Sequence, residues 1–159
     1  MKPSELLPPT TTRVERQTAV DINRRIRSQA DARVARIARE PEATYERRLR
    51  ELDAEWDVER VLQANAATFA LTGVVLGALV DRRFLPLPIA VFGFLGMHAL
   101  QGWCPPIPVI RRLGVRTHRE IERERHALKV LRGDYDRIPP AGSAEPTERV
   151  RAALAAVDR

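Results

Sequence analysis

Two stretches of this chain, residues 61–80 and 84–110, contain no Asp, Glu, Lys or Arg, although those four residue types make up 30% of the sequence. Segregation of that kind constrains the fold more than any average does. A helix of about twenty residues, rising roughly 1.5 Å per residue, covers roughly 30 Å, the thickness of bilayer hydrocarbon. The mean hydropathy of −0.31 conceals this, because the charged flanks dominate it. Only Asp81, Arg82 and Arg83 separate the two windows. That connection is too short for anything but a tight antiparallel turn. The sequence therefore predicts an all-α protein, an integral membrane helical hairpin of two transmembrane helices with amphipathic cytoplasmic helices before and after it.

The spans fall at about 61–80 and 85–103. Pro105, Pro106 and Pro108 are expected to stop the second near Cys104, and Pro86 and Pro88 lie in its first turn, where proline is tolerated. No apolar leader precedes the first helix at Met1–Pro9, so insertion is expected to use the internal helices. Arginine is dense beside the outer ends of the two windows (Arg47, Arg48, Arg50, Arg60, Arg111, Arg112, Arg116, Arg119) and sparse in the turn, which holds Arg82 and Arg83. By the positive-inside rule both termini are cytoplasmic, and a composition rich in arginine and alanine with few lysines suggests a high-GC bacterium, so the expected location is the bacterial inner membrane, as a multi-pass protein. Trp56 and Trp103 stand near the cytoplasmic ends of the spans, where indole rings favour the interface as anchors.

Outside the windows, residues 1–11 are rich in Pro and Thr and are expected to be disordered. Residues 12–60 read as basic amphipathic helices. Thr12 and Glu15 have capping-box spacing, and Ile22, Ile26, Ala30, Val34 and Ile37 recur at helical intervals among arginines. Pro41 ends that helix, and Tyr45, Leu49, Leu52 and Trp56 mark the apolar stripe of the next, with no stop signal before Val61. Thr117 and Glu120 repeat the capping-box spacing at the start of a cytoplasmic helix within 116–135, closed by Gly133. Residues 136–146 form a linker, and 147–159 a short C-terminal helix. The first basic helix has two possible settings. It lies on anionic inner-leaflet lipids with Ile22, Ile26, Val34 and Ile37 toward the acyl chains, or it packs in a cytoplasmic bundle against Leu49, Leu52 and the tail helix.

The segment from about Asp57 to Val115 resembles the YgaP-like inner-membrane domain, a bacterial family of two-helix hairpins, here taken as residues 61–115. The residues carrying the resemblance are Glu59-Arg60 before the first span, Gly102-Trp103-Cys104-Pro105 after the second, and Leu113-Gly114-Val115. The resemblance implies a hairpin capable of self-association, which some relatives attach to a rhodanese, a sulfur-transfer domain.

Cys104 is the one candidate for catalytic chemistry, since a thiolate is a nucleophile and Arg111 and Arg112 could favour it; the alternative is a small apolar residue packed at a helix end. As the single cysteine it forms no disulfide within the chain. His98 lies inside a span, where ionisable groups are functional candidates, but it stands about 120° around the helix from Cys104, so the two make no ready metal pair. With the hairpin turning near Arg82, Thr68 lies level with His98 and Asn65 with Gln101, a candidate intramembrane polar cluster. Gly73 and Gly77, with Ala66 and Ala70, form a small-residue face for helix packing, within the hairpin or between chains, and Gly93 and Gly96 form a second.

The net charge of +6 could suit nucleic acid, but its arginines are mixed with acids and no aromatic stacking platform accompanies them, so no nucleic-acid partner is expected. No phosphate loop, zinc helix, paired-cysteine motif or dinucleotide fingerprint occurs, and neither a metal nor a cofactor is expected. The leading expectation is a non-enzymatic membrane anchor or scaffold with an unidentified protein partner, forming a homodimer or higher oligomer. The alternatives are thiol-dependent sulfur relay or redox sensing at Cys104, and small-solute passage through an oligomer lined by His98, Gln101 and Asn65.

Overall fold

The computed structural model describes residues 8–157, and all regular structure among them is helical. The chain divides into two compact units. The first runs to Ser28 and resumes from Trp56 to Ile121; the second comprises Gln29–Glu55 and the chain from Glu122 onward. Of the expected disordered N-terminus, residues 1–7 lie outside the described residues, while Pro8 to Thr12 lead into a turn closed by the Thr12 N–H on the Pro9 carbonyl.

The first unit begins with α1 (Arg13–Arg16), a single turn. Thr12 stands at its N-cap but makes no capping bond through its hydroxyl, and the helix breaks at Gln17 before α2 (Val20–Ile37) begins. The reciprocal cap expected of Thr12 and Glu15 does not form, because the Glu15 carboxylate instead accepts from the Thr117 hydroxyl and faces Arg119.

The hairpin consists of α4 (Val58–Leu79), one 3₁₀ turn at Arg82–Phe84 and α5 (Pro86–Gln101). A stop does precede α4: Asp57 caps it by accepting the Arg60 N–H at 2.8 Å, and the chain is extended through Glu55 to Asp57. Short polar caps of this kind carry little sequence contrast inside a charged run, which is why none was expected there. Asp81 likewise caps the turn through the Arg83 N–H. At the far end α5 stops at Gln101, earlier than its prolines would require, because Gly102 takes a left-handed φ of 78° that a side chain would disfavour. Pro106 and Pro108 serve instead at the start of α6 (Ile107–Arg112).

Leu62, Ala70, Gly73 and Gly77 are the buried line on α4, with Pro88 and His98 on α5. A Cβ on Gly73 would lie 2.6 Å from Pro88 Cδ, and one on Gly77 2.5 Å from Leu85 Cδ2. The small-residue face of the first helix is therefore consumed by the hairpin itself. Gly93 and Gly96 have nothing within 4 Å of such a Cβ and lie on the open side of α5.

In the second unit α3 (Glu42–Ala54) buries Tyr45, Leu49 and Leu52. The α2 stripe is also turned into protein: Ile22 and Ile26 are buried in the first unit, Ala30 and Ile37 in the second. Val34, the remaining member of the stripe, is half-buried. Helix α7 (His118–Arg132) starts with the reciprocal cap the sequence predicts, Thr117 N–H to Glu120 Oε2 at 2.8 Å and Glu120 N–H to Thr117 Oγ1 at 3.2 Å. It ends at Gly133, where φ is 82°. The last helix, α8 (Pro146–Val157), has its terminal carbonyl at Val157 held by the Lys129 ammonium at 2.7 Å, a cation placed at the negative end of a helix dipole.

Gly73→Ala should destabilise the hairpin by about 1–3 kcal/mol, because the rigid Pro88 ring cannot step aside. Gly96→Ala should be neutral or slightly stabilising, since alanine favours helix and meets nothing. Reversible unfolding of the detergent-solubilised protein measures both; equal losses would mean that the two glycine faces are not distinguished in this way.

Candidate functional site at the base of the hairpin

The open end of the hairpin is closed by an apolar cluster of Val14, Val58, Leu62, Cys104, Ile107 and Ile110. Four separate segments contribute, so the cluster forms only when α1 and α6 fold back against α4 and the end of α5. The closing chain is pinned at both sides of the mouth. Cys104 sits just past α5, and the Arg116 carbonyl accepts the first free N–H of α4, from Val58, at 2.9 Å. Between those points α6 crosses the base, turning Ile107, Ile110 and Arg111 inward. The approach is tight: a Cβ on Gly102 would stand 2.6 Å from the Arg13 carbonyl carbon.

Arg111 is fully buried and yet every one of its five N–H donors is used. Nη1 and Nη2 grip the Glu120 carboxylate in parallel at 2.7 Å each. Nη1 also donates to the Val115 carbonyl at 2.9 Å, Nη2 to Asn23 Oδ1 at 2.8 Å, and Nε to Thr18 Oγ1 at 3.2 Å. Asn23 in turn donates to the Glu15 carbonyl at 2.8 Å, fixing the break between α1 and α2. A planar fork matched to a carboxylate is what allows a guanidinium to be buried without stranding its charge.

A second polar chain runs through the same base. The Arg13 guanidinium meets Glu59 Oε1 at 2.8 Å, and Glu59 Oε2 meets His98 Nε2 at 2.7 Å. His98 is only 2% exposed. Its Nδ1, the Thr12 hydroxyl and Arg13 Nε are buried without a hydrogen-bond partner among the described residues, so this is the least satisfied polar corner of the first unit.

The structure does not assemble the polar cluster expected around His98. Asn65 donates to the Val61 carbonyl and Thr68 to the Ala64 carbonyl, both one turn back on their own helix and both exposed, and Gln101 is exposed as well. The reason is register. Gly77 faces Leu85 and Gly73 faces Pro88, so the helices turn earlier than Arg82 and His98 falls opposite the start of α4, within reach of Glu59. Cys104 is 4% exposed, and burial pushes its thiol above the ordinary value. Arg111, committed to Glu120, is not free to favour a thiolate. Trp56 is exposed with the Arg60 guanidinium 4.4 Å above its ring, a cation–π contact, and Trp103 is half-buried.

Sequence reasoning missed Arg13, and it singled out Glu59 and Arg111 without their roles here, Glu59 as partner of His98 and Arg111 as partner of Glu120. The one available signal was an acid two residues before the first charge-free window, since a carboxylate beside a span needs a partner.

In the second unit the corresponding buried charge is Glu124, held by Arg48 Nε at 2.9 Å and Arg33 Nη2 at 3.2 Å. Desolvation opposes the Arg48 charge, but its bonds to Glu124 and Glu51 outweigh this and raise its pKa. A groove of about 360 Å³ beside it is lined by Arg36, Arg47, Arg48, Glu40 and Glu51, charges of both signs. Among the described residues no group of three or more His, Cys, Asp or Glu is arranged to hold a metal ion.

Glu120→Ala should destabilise the protein by about 3–5 kcal/mol, because it leaves Arg111 charged and buried without its partner. Thr117→Ala, which removes the cap and the long 3.3 Å bond to Glu15 but strands no charge, should cost only about 1 kcal/mol. Chemical denaturation separates the two; comparable losses would show that the ion pair contributes no more than the cap.

No family model matches this chain, and no curated protein or solved structure does either. The likeness to the YgaP-like hairpin therefore rests on the residues quoted for it.

Proposed function

We propose that this chain is a small integral protein of the bacterial inner membrane, a non-enzymatic anchor whose α4–α5 hairpin crosses the bilayer and whose remaining helices present a basic cytoplasmic scaffold to a protein partner. The observation that carries this reading is the outward orientation of the hairpin's large apolar side chains. Both helices are long and apolar enough to cross a membrane, and 22% and 11% of their most apolar windows are buried. The core helix of a soluble protein would have most of that surface covered. Here Phe69, Leu71, Val75, Leu79, Ile89, Phe92 and Leu100 are all exposed. A contiguous apolar surface of this extent is unfavourable in water and matches lipid.

The arginine asymmetry between the base and the turn supports cytoplasmic termini. Buried and held above its usual pKa, Cys104 lacks the features of a reactive thiol, which favours the anchor over sulfur relay. His98 is buried while Asn65 and Gln101 are exposed, which counts against a passage lined by all three together. A second copy of the chain would approach on the open side of α5 at Gly93 and Gly96, and self-association there is part of the proposal.

After alkaline carbonate extraction of membranes from expressing cells, the protein should remain in the pellet and be released only by detergent. Recovery in the carbonate supernatant would contradict the anchor. Cys104→Ser should leave membrane retention and any partner-dependent phenotype unchanged; loss of the phenotype in a folded, retained Cys104→Ser protein would favour the thiol reading.

A further inference from the structure

We propose that α6 is an in-plane interfacial helix, an anionic-lipid contact in which Val109 and Leu113 enter the acyl boundary while Arg60 and Arg112 meet lipid phosphate. This rests on the reading of the hairpin as membrane-spanning, and it assigns the lipid-surface role to a different element from the basic helix α2, whose apolar face is taken up by protein.

Position is the first support. The chain between Cys104 and Arg116 leaves the end of α5 and returns to the start of α4, where the Arg116 carbonyl binds the Val58 N–H at 2.9 Å. A segment tied at both edges of the hairpin's mouth lies at the level of the helix ends, which is the level of the headgroups when the hairpin spans. Its two-sidedness is the second. Ile107, Ile110 and Arg111 point into the core, whereas Val109 is 57% exposed and Leu113 78%. One turn apart, those two apolar side chains share the outer face.

Charge supplies the third. Arg112 is exposed on the same turn and its side chain has no acidic partner among the described residues, while its carbonyl accepts from Arg25 at 2.7 Å. Arg60 is exposed and stacked on Trp56, with no acid paired to its side chain among the described residues. Apolar side chains on α6 with Arg112 beside them, and Arg60 with its indole at the start of α4, are complementary to an anionic bilayer surface. A partner protein would have no reason to be matched to the depth of the helix ends.

The test uses the full chain with Cys104→Ala, carrying a single new cysteine at Leu113→Cys and labelled with an environment-sensitive fluorophore. It is reconstituted into phosphatidylcholine vesicles containing phosphatidylglycerol. Nitroxide lipids labelled high on the acyl chain should quench the Leu113 probe strongly and aqueous iodide weakly. A matched Phe92→Cys probe reports the hairpin and should be quenched by deep nitroxides. Adding Arg60→Gln and Arg112→Gln should abolish any preference of the Leu113 probe for spin-labelled phosphatidylglycerol over phosphatidylcholine. Iodide-dominated quenching at Leu113 with lipid quenching at Phe92 overturns this proposal alone, and so does a headgroup preference unchanged by the arginine substitutions. Aqueous quenching at both positions overturns the membrane reading and this proposal with it.

Discussion

The guanidinium of Arg111 is the point through which the first unit is tied. Its five donors reach Thr18 in the turn before α2, Asn23 on α2, Val115 in the loop after α6 and both oxygens of Glu120 on α7. Each partner belongs to a different local element, so each would be free to move if the cation were absent. An unpaired buried charge is among the most costly defects a core can carry, and this one is compensated only when all of those elements are in place at once. That requirement fixes α6 across the hairpin's mouth and packs Ile107 and Ile110 onto Val58, Leu62 and Val14.

Two materials are joined at that mouth. Below it, within the first unit, the chain is held by the charge-assisted hydrogen bonds of Arg111 with Glu120, as the second unit is by its own, Glu124 with Arg33 and Arg48. Above it the hairpin has little polar content and a narrow seam of Ala70, Gly73, Gly77 and Pro88, with its bulk turned outward. Arg13, Glu59 and His98 stand at the junction. A buried ionisable histidine is tolerable there because Glu59 comes to it from the first turn of α4, and Arg13 in turn pairs with Glu59.

Much of this was legible in the sequence where a local rule decides it. Two charge-free windows around Asp81-Arg82-Arg83 imply two apolar helices and a tight turn, Thr117 with Glu120 marks a helix start, and Gly133 marks an end. What was not legible depends on pairs distant in the chain. Arg111 reads as one of two arginines beside a span, and nothing local says that it turns inward to Asn23 and Glu120 while Arg112 turns out. The Glu59 to His98 contact depends on hairpin register, and the early turn after Leu79 shifts that register by more than one helical turn from the one that places Thr68 beside His98. Thr12 and Glu15 have the spacing of a cap, yet Glu15 is drawn away by Thr117 and Arg119.

The central claim, a hairpin that crosses the bilayer with its base in the cytoplasm, is tested most directly by the sidedness of its turn. In a Cys104→Ala chain, a single cysteine replacing Arg83 should react with a membrane-impermeant maleimide added to intact spheroplasts, and one replacing Ser143 should react only in inverted vesicles. Labelling of both from the same side would contradict a spanning hairpin, and the reverse pattern would contradict the orientation.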